Sequence, residues 1–387
     1  MLSSDSIEHQ LSLIDRSHPA SERSTIQRAP RHVTRTRIPR TDISIKAVNH
    51  DNHKNADQLA DLFRRCYGAS YPAKEVYDPE HWYSPDNDCF NAELGHCMTS
   101  MVATHGNRIV AHMALRHEPH ARRVEFLYPA IHPAYRKRVF EFCRLFWNTV
   151  TDLADRQKWE LVYFYNVLAH PMWQLVANKC FDSVETAIIP NSTGAKSSFS
   201  RRQDSRSSFL VMYNIFNAQN ASPRPFFAPR EHREFIASQF ESLGLLRIPG
   251  SNSAAPTFES SPEVAEKGIS LQHKEGFGIY NAVIDPERLS RPEEIERCTA
   301  QLSHNQRQRC VLSIAIDNSN APAVCEYATR TGYRFCGIQP LNYGRDRILY
   351  SKFDPESLSS VSLYSPHAKR LRDYIERSCR EIGFPFH

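Results

Sequence analysis

Residues 124–181 constrain this chain more than any other stretch, because strand, basic turn, helix, strand and helix follow one another there with little padding. The run 124–131 is apolar apart from Glu125. His132, Pro133 and Ala134 end it, since proline cannot extend a central ladder. Arg136, Lys137 and Arg138 then stand at the mouth of a helix whose Val139, Cys143, Phe146, Val150 and Leu153 recur on one face. The run 159–165 is nearly all apolar and aromatic, as a strand buried on both faces requires. Pro171 suits a first helical position, and Cys180-Phe181 closes that helix before another strand.

Three cations at a helix N-terminus make an anion site, because unpaired N–H groups and the helix dipole both favour phosphate there. The stretch "HPAYRKRVFEF" at 132–142 resembles the pyrophosphate loop of the GNAT superfamily of acyl-CoA-dependent N-acyltransferases, Arg/Gln-x-x-Gly-x-Gly/Ala. Arg136 takes the first motif position, while Val139 and Glu141 stand where the family has glycines. Glycine lets backbone N–H groups approach phosphate closely. Val139 adds bulk there and Glu141 adds charge of the same sign as the ligand.

The resemblance covers about 43–216 and implies an α/β fold, a mixed and mostly antiparallel sheet flanked by helices. It implies acetyl-CoA or another acyl-CoA as donor substrate, no metal, and a small amine or amino-acid-like acceptor. Ile131, Arg136, Lys137, Arg138, Val139 and Phe140 are the expected coenzyme contacts. Glu125 matches the catalytic glutamate of histone-type members, six residues before Ile131. On its own chemistry it is the carboxylate of an apolar strand, where burial disfavours the charged form and suits a general base. The alternatives are a solvent-facing edge residue or a partner of Arg122 or Arg123. The tyrosine that many members use to protonate the thiolate falls at Val176, leaving His170 and Tyr165 as nearby substitutes. The segment after the first helix, 67–83, is rich in Tyr, Pro and charge, and its Tyr71, Glu75, Tyr77 and Trp82 are expected at the acceptor.

The rest of the chain frames this unit. At 387 residues it has length for two or three domains, and 41% apolar with 24% charged residues describes a soluble globular protein. Residues 1–41 form a polar, arginine-bearing arm whose composition cannot fold alone. A first strand begins at Ile43, a helix carries Leu59, Leu62 and Phe63, and 98–103 with 108–116 read as a hairpin about His105-Gly106-Asn107. The first domain is expected over 42–216, a connector with one helix over 217–262, and a second domain over 263–387. That second domain repeats strand–helix–strand–helix–Gly-aromatic–strand, ending at Pro340 as the first ends at Pro190. It has no basic loop before a helix, so a duplicated fold with a degenerate second half is expected.

Net charge of +5 permits an anionic ligand and falls short of a nucleic-acid signature. His112, His117 and His120 match no zinc spacing, and ten cysteines without CxxC pairs indicate neither a zinc ribbon nor a disulfide scaffold. No apolar run approaches a membrane span and no signal peptide opens the chain, so a reducing cytoplasm is expected. Oligomeric state is left open. The alternative function is a non-catalytic binding or regulatory protein on a duplicated acyltransferase fold.

Overall fold

Among the described residues twelve strands pair into one sheet that runs through both halves of the chain. The computed structural model describes residues 42–48, 53–69, 71, 73–83, 97–118, 122–168, 172–190, 208–216, 223–251, 268–274, 279–302, 310–342, 344–359 and 361–381. In the first half, β1 (Ile43–Ala47) leads to helix α1 (His53–Tyr67), then β2 (Cys97–His105), β3 (Arg108–Glu118) and β4 (Arg123–Ile131). Helix α2 (Val139–Gln157), β5 (Leu161–Val167), α3 (Met172–Cys180), β6 (Val184–Ile189) and β7 (Phe209–Ile215) follow. A small parallel pair, β8 (Arg224–Phe226) and β9 (Arg247–Pro249), brackets α4 (Arg233–Ser242). The second half holds β10 (Ile269–Lys274), β11 (Ile279–Ile284), α5 (Glu294–Ala300), β12 (Cys310–Ala315), α6 (Ala321–Arg330), β13 (Arg334–Asn342), β14 (Arg345–Ser351) and α7 (Pro366–Glu381).

The order across the large sheet is β1-β2-β3-β4-β5-β7-β6-β13-β14-β12-β11-β10. Read outward from its centre, the two halves mirror each other. β6-β7-β5-β4-β3 on one side corresponds to β13-β14-β12-β11-β10 on the other. Within this sheet the described residues of each half form one parallel pair, β4·β5 and β11·β12, and the other pairings are antiparallel. The repeat visible in the sequence is therefore a repeat of topology. The halves meet where Gly337 of β13 lies opposite Ala187 of β6.

Amphipathic helices cover this sheet. α2 buries Val139, Phe142, Cys143, Phe146, Trp147 and Val150. It ends at Lys158 in the left-handed region, whose N–H returns to Ala154 O. Buried aliphatic and aromatic residues of both halves form one continuous core, and a smaller cluster of α1, Val76 and Trp82 sits over β2 and β3. The C-terminal helix α7 packs on β6 and β13, so it spans the junction. Ser365 Oγ caps it at Ala368 N (2.9 Å), and Gln174 of α3 holds the approach segment through Ser362 O (2.8 Å) and Tyr364 N (2.9 Å). Strand β14 had no counterpart in the sequence reading. Its Arg345, Asp346 and Arg347 side chains are all engaged in ion pairs.

Candidate active site

The parallel ladder between β4 and β5 is short. It runs from Arg123 opposite Leu161 to Phe126 opposite Phe164, and there the strands part. β5 stays with β7 as far as Val167, and β4 stays with β3 as far as Ile131. A bulge on β4 drives the parting: Leu127 faces Ala114 and Ala130 faces His112, so Tyr128 and Pro129 oppose the single residue Met113. Tyr128 accordingly takes a positive φ of 50°, the local re-aiming that bulges produce. Phe126, Phe164 and Phe181 pack at the fork with ring centroids 5.7–5.9 Å apart.

The fork opens into a cleft of about 120 Å³. Glu125, Tyr128 and Pro129 line one lip, Tyr165 and Asn166 the other, and Trp173 of α3 contributes a wall. Tyr67 and Tyr71 close the α1 side, their rings 4.8 Å apart. Burial above all raises the Tyr67, Tyr71 and Tyr128 phenols, so this wall is protonated and neutral across the physiological range.

Glu125 is 0% exposed and sits at the base of the fork. It is neither a solvent-facing edge residue nor a partner of Arg122 or Arg123, the two alternatives open from the sequence: it pairs with Arg116, directly opposite on β3. Arg122 lies 3.6 Å from Glu160, and Arg123 pairs with Glu118. The charges at 116 and 118 alternate with those at 123 and 125 on one strand face, a cross-strand arrangement the hairpin register dictates. That pattern was the available signal. Tyr163 Oη lies 2.7 Å from Glu118 Oε1 and 3.0 Å from Glu125 Oε2, so one phenol proton serves two carboxylates in turn. The Glu125 charge raises the Arg116 guanidinium above its ordinary value.

The network does not end in the first half. Arg123 Nη1 donates to Asn342 Oδ1, Asn342 Nδ2 to Gln339 Oε1 (2.7 Å), and Gln339 Nε2 to Tyr165 Oη (3.0 Å). Nothing in local sequence could have found these partners, since more than 170 residues separate Tyr165 from Gln339.

The basic turn takes a form the sequence did not suggest. Pro133–Arg138 is a 3₁₀ helix running into α2. Arg138 is bound by both oxygens of Glu141 (2.7 and 2.8 Å) and lies 3.3 Å from Asp42. Arg136 Nη2 donates to Cys66 O (3.3 Å), and Lys137 is exposed. Val139 is buried in the core, Phe140 packs partly against it, and Ile131 O accepts from Cys66 Sγ (3.1 Å).

Of the four residues expected at the acceptor, Tyr71 lines the cleft. Glu75 accepts from Tyr128 Oη at the cleft margin (3.3 Å). Tyr77 Oη accepts from Tyr71 N (2.7 Å) and so braces that loop. Trp82 is 2% exposed, stacks on Phe63 and donates Nε1–H to Val76 O (2.9 Å), which places it behind the wall. His170 lies outside the described residues. Val176 is buried in α3 among core side chains. His112 is also interior, held between Tyr128 O (2.8 Å) and Ser100 Oγ (3.2 Å), and burial lowers it to about 4. Among the described residues no three His, Cys, Asp or Glu side chains gather as metal ligands, and no helix is long and apolar enough to cross a membrane.

No family model matches this sequence, and no curated protein matches it either. Solved structures do. The aminoglycoside 6'-N-acetyltransferase from Enterococcus faecium is 12% identical, with 45% of this chain and 97% of that one covered at a TM-score of 0.32. The ribosomal-protein-S5-alanine acetyltransferase from Vibrio fischeri is 10% identical over 46% and 96%, with a TM-score of 0.36. The ribosomal-protein-S18-alanine N-acetyltransferase from Escherichia coli is 9% identical over 45% and 94%, with a TM-score of 0.34. Each is a likeness over a little under half of this chain.

The corresponding fork of the second half is pinned shut. β11 and β12 pair from Tyr280 opposite Cys310 to Ile284 opposite Ile314, the end of β11. Arg347, 2% exposed, then joins the strand ends by donating to Ile284 O (3.0 Å), Ser313 O (3.1 Å) and Asp285 (2.8 Å). Arg345 gathers Glu287 (2.6 Å) and Asp317 (2.7 Å) beside it.

Proposed function

We propose that this chain is an acyl-CoA-dependent N-acyltransferase of the GNAT kind, with one site in its first half and a small amine as acceptor. The observation that carries the reading is the β4·β5 fork with Glu125 at its base. Parting a parallel pair leaves main-chain N–H and C=O groups facing a gap, and such groups need partners. An extended donor arm carrying amides supplies them as an added strand would. The pantetheine arm of coenzyme A has that chemistry, and the apolar, aromatic floor suits its methylene and thioester portions.

Within the site each residue has a task. Glu125 takes the proton from the acceptor amine as it attacks, and Arg116 with Tyr163 holds its carboxylate at the fork. Tyr71, Tyr128 and Glu75 shape the acceptor side. Arg136, Lys137 and Arg138 would face the pyrophosphate. The donor supplies the activated acyl group.

A specific observation favours a second reading, a protein of this fold that binds without catalysis. Arg138 already has a carboxylate on both sides, so holding pyrophosphate requires it to leave Glu141 or Asp42. Calorimetry with coenzyme A tests the shared step, and thiol release with a panel of amines separates the two readings. Binding without release on any amine supports the second, and no binding sinks both.

The second half keeps the fold without the fork. We place the enzyme's one site accordingly, with residues 263–387 as supporting structure, and expect one coenzyme A per chain.

A further inference from the structure

We propose that residues 362–365 of the second half hold α3 in place through Gln174 and Glu185, and that this hold sets the size of acyl group the cleft accepts. The proposal rests on the acyltransferase reading above and names the determinant of its donor choice.

α3 stands between two neighbours. Trp173 and Ala177, with Phe181 just past its end, line the cleft. Gln174 and Asn178, four apart and therefore on one face, turn to the C-terminal segment and to β6. Nine residues are too few for a helix to keep its shape alone in water, so the seat of α3 comes from these neighbours.

Gln174 is 0% exposed. Its Nε2 donates to Ser362 O (2.8 Å) and its Oε1 accepts from Tyr364 N (2.9 Å). One carboxamide thus reads a main-chain carbonyl and a main-chain N–H two residues apart, a pairing that needs both its donor and its acceptor. The second tie lies one turn further along. Asn178 Nδ2 donates to Glu185 Oε1 (3.0 Å), and Ser365 Oγ donates to the same oxygen. Ser365 Oγ also accepts from Ala368 N in the first turn of α7 (2.9 Å). One hydroxyl, donor to Glu185 and acceptor from α7, therefore joins the two helices. Glu185 is itself 2% exposed, and bonds made out of water are the stronger for it.

The hold acts on the apolar side of the cleft. Trp173 and Ala177 share that side with Phe126, Phe164 and Phe181, whereas Tyr67 and Tyr71 close the α1 side. The hydrocarbon of an acyl group belongs against the apolar side. Phe181 is fixed by stacking on Trp147 of α2, with ring centroids 4.8 Å apart. The end of α3 that Gln174 governs is thus the Trp173 end. An apolar pocket discriminates by single methylenes, so a small retreat of this wall admits a longer chain. Gln174 is on this account a positioning residue: it acts on the donor through Trp173.

The test uses the full chain, coenzyme A, acetyl-CoA, butyryl-CoA and the best amine of the panel. Gln174→Met keeps the bulk and loses both hydrogen bonds. It should speed hydrogen exchange over 172–180 at least about tenfold. The ratio of kcat/KM for acetyl-CoA to that for butyryl-CoA should fall at least about tenfold, with affinity for coenzyme A itself unchanged. Ser365→Ala releases the other tie and should move both readouts the same way, which keeps the test open if Gln174→Met does not fold. Gly244→Ala is the control for general destabilisation: its φ of +72° at the end of α4 strains any Cβ, and nothing lies within 4 Å of that atom. It should leave the ratio alone. An unchanged ratio in the folded variants, or an equal fall in Gly244→Ala, overturns this inference alone. Unchanged exchange over α3 overturns the hold, whatever the chain binds. A wild-type chain without affinity for coenzyme A overturns the acyltransferase reading, and the donor choice inferred here with it.

Discussion

Gly337 lies opposite Ala187 where the two halves pair, and replacing it tests whether they form one unit. A Cβ at Gly337 would lie 2.2 Å from Thr186 O, 2.5 Å from Ala187 Cα and 2.7 Å from Ala187 Cβ. Two of these atoms are main chain and the third is a rigid methyl, so no flexible side chain can give way. The φ of +128° adds strain for any residue with a Cβ. Overpacking of this kind costs about 1–3 kcal/mol, and the backbone strain about 1–3 kcal/mol more. Gly337→Ala should then lose about 2–6 kcal/mol, a fall in Tm of roughly 2–7 °C for a chain of 387 residues.

Gly332 separates the two terms. Its φ is +87° at the end of α6, but nothing lies within 4 Å of its would-be Cβ. Gly332→Ala should cost only the left-handed penalty, about 1–2 kcal/mol. Scanning calorimetry of both variants at one protein concentration is the assay. Equal small shifts would refute the close approach of β6 and β13. A second, earlier transition in Gly337→Ala alone would show the halves uncoupling before they melt.

Three further outcomes follow from the site and its surroundings. Glu125→Gln should reduce turnover by about 10²–10⁴ while coenzyme A affinity by calorimetry stays put; retained turnover with the same acidic pH limb makes another group the base. Arg136→Ala with Arg138→Ala should weaken coenzyme A at least about tenfold, whereas Glu141→Gln, which frees Arg138, should tighten it; no change in either removes the turn from the site. Burial lowers His112 and His232 to about 4, so both are neutral in the fold and charge more readily in the unfolded chain. Their contribution is whole above about pH 6.5 and is lost as pH falls from there toward 4. Urea midpoints across that range should decline, with a shallower slope in His112→Asn combined with His232→Asn.

Local periodicity made most elements legible. The hairpin about Gly106, α2, β5 and α6 stand where apolar spacing and turn residues put them, and Gly332 takes the positive φ expected of a helix C-cap. Short-range signals also located Glu125 at a cleft. They failed where side chains satisfy one another over long distances. The ion pairs of Arg345, Asp346 and Arg347 escape a local reading because their partners, Asp285, Glu287, Asp317 and Arg247, lie elsewhere in the sequence. The pairing of β6 with β13 is hidden for the same reason. It depends on a glycine and an alanine, residues that carry no pattern of their own.

A sheet of seven strands on one side of the β6·β13 junction and five on the other would expose β6 and β13 as edges if the halves were apart, and open edges invite aggregation. Pairing them removes both edges at once. It also lets a residue of one half reach the cleft of the other, which is the position Gln339 occupies beside Tyr165. The same strand order is then held in two conditions. In the first half the parallel strands part around a buried carboxylate; in the second a buried guanidinium, Arg347, ties the strand ends together. A desolvated cation is costly unless every donor finds a partner. Arg347 bonds to Asn342 O as well as to Ile284 O, Ser313 O and Asp285, so each of its three nitrogens has a partner where the strand ends meet.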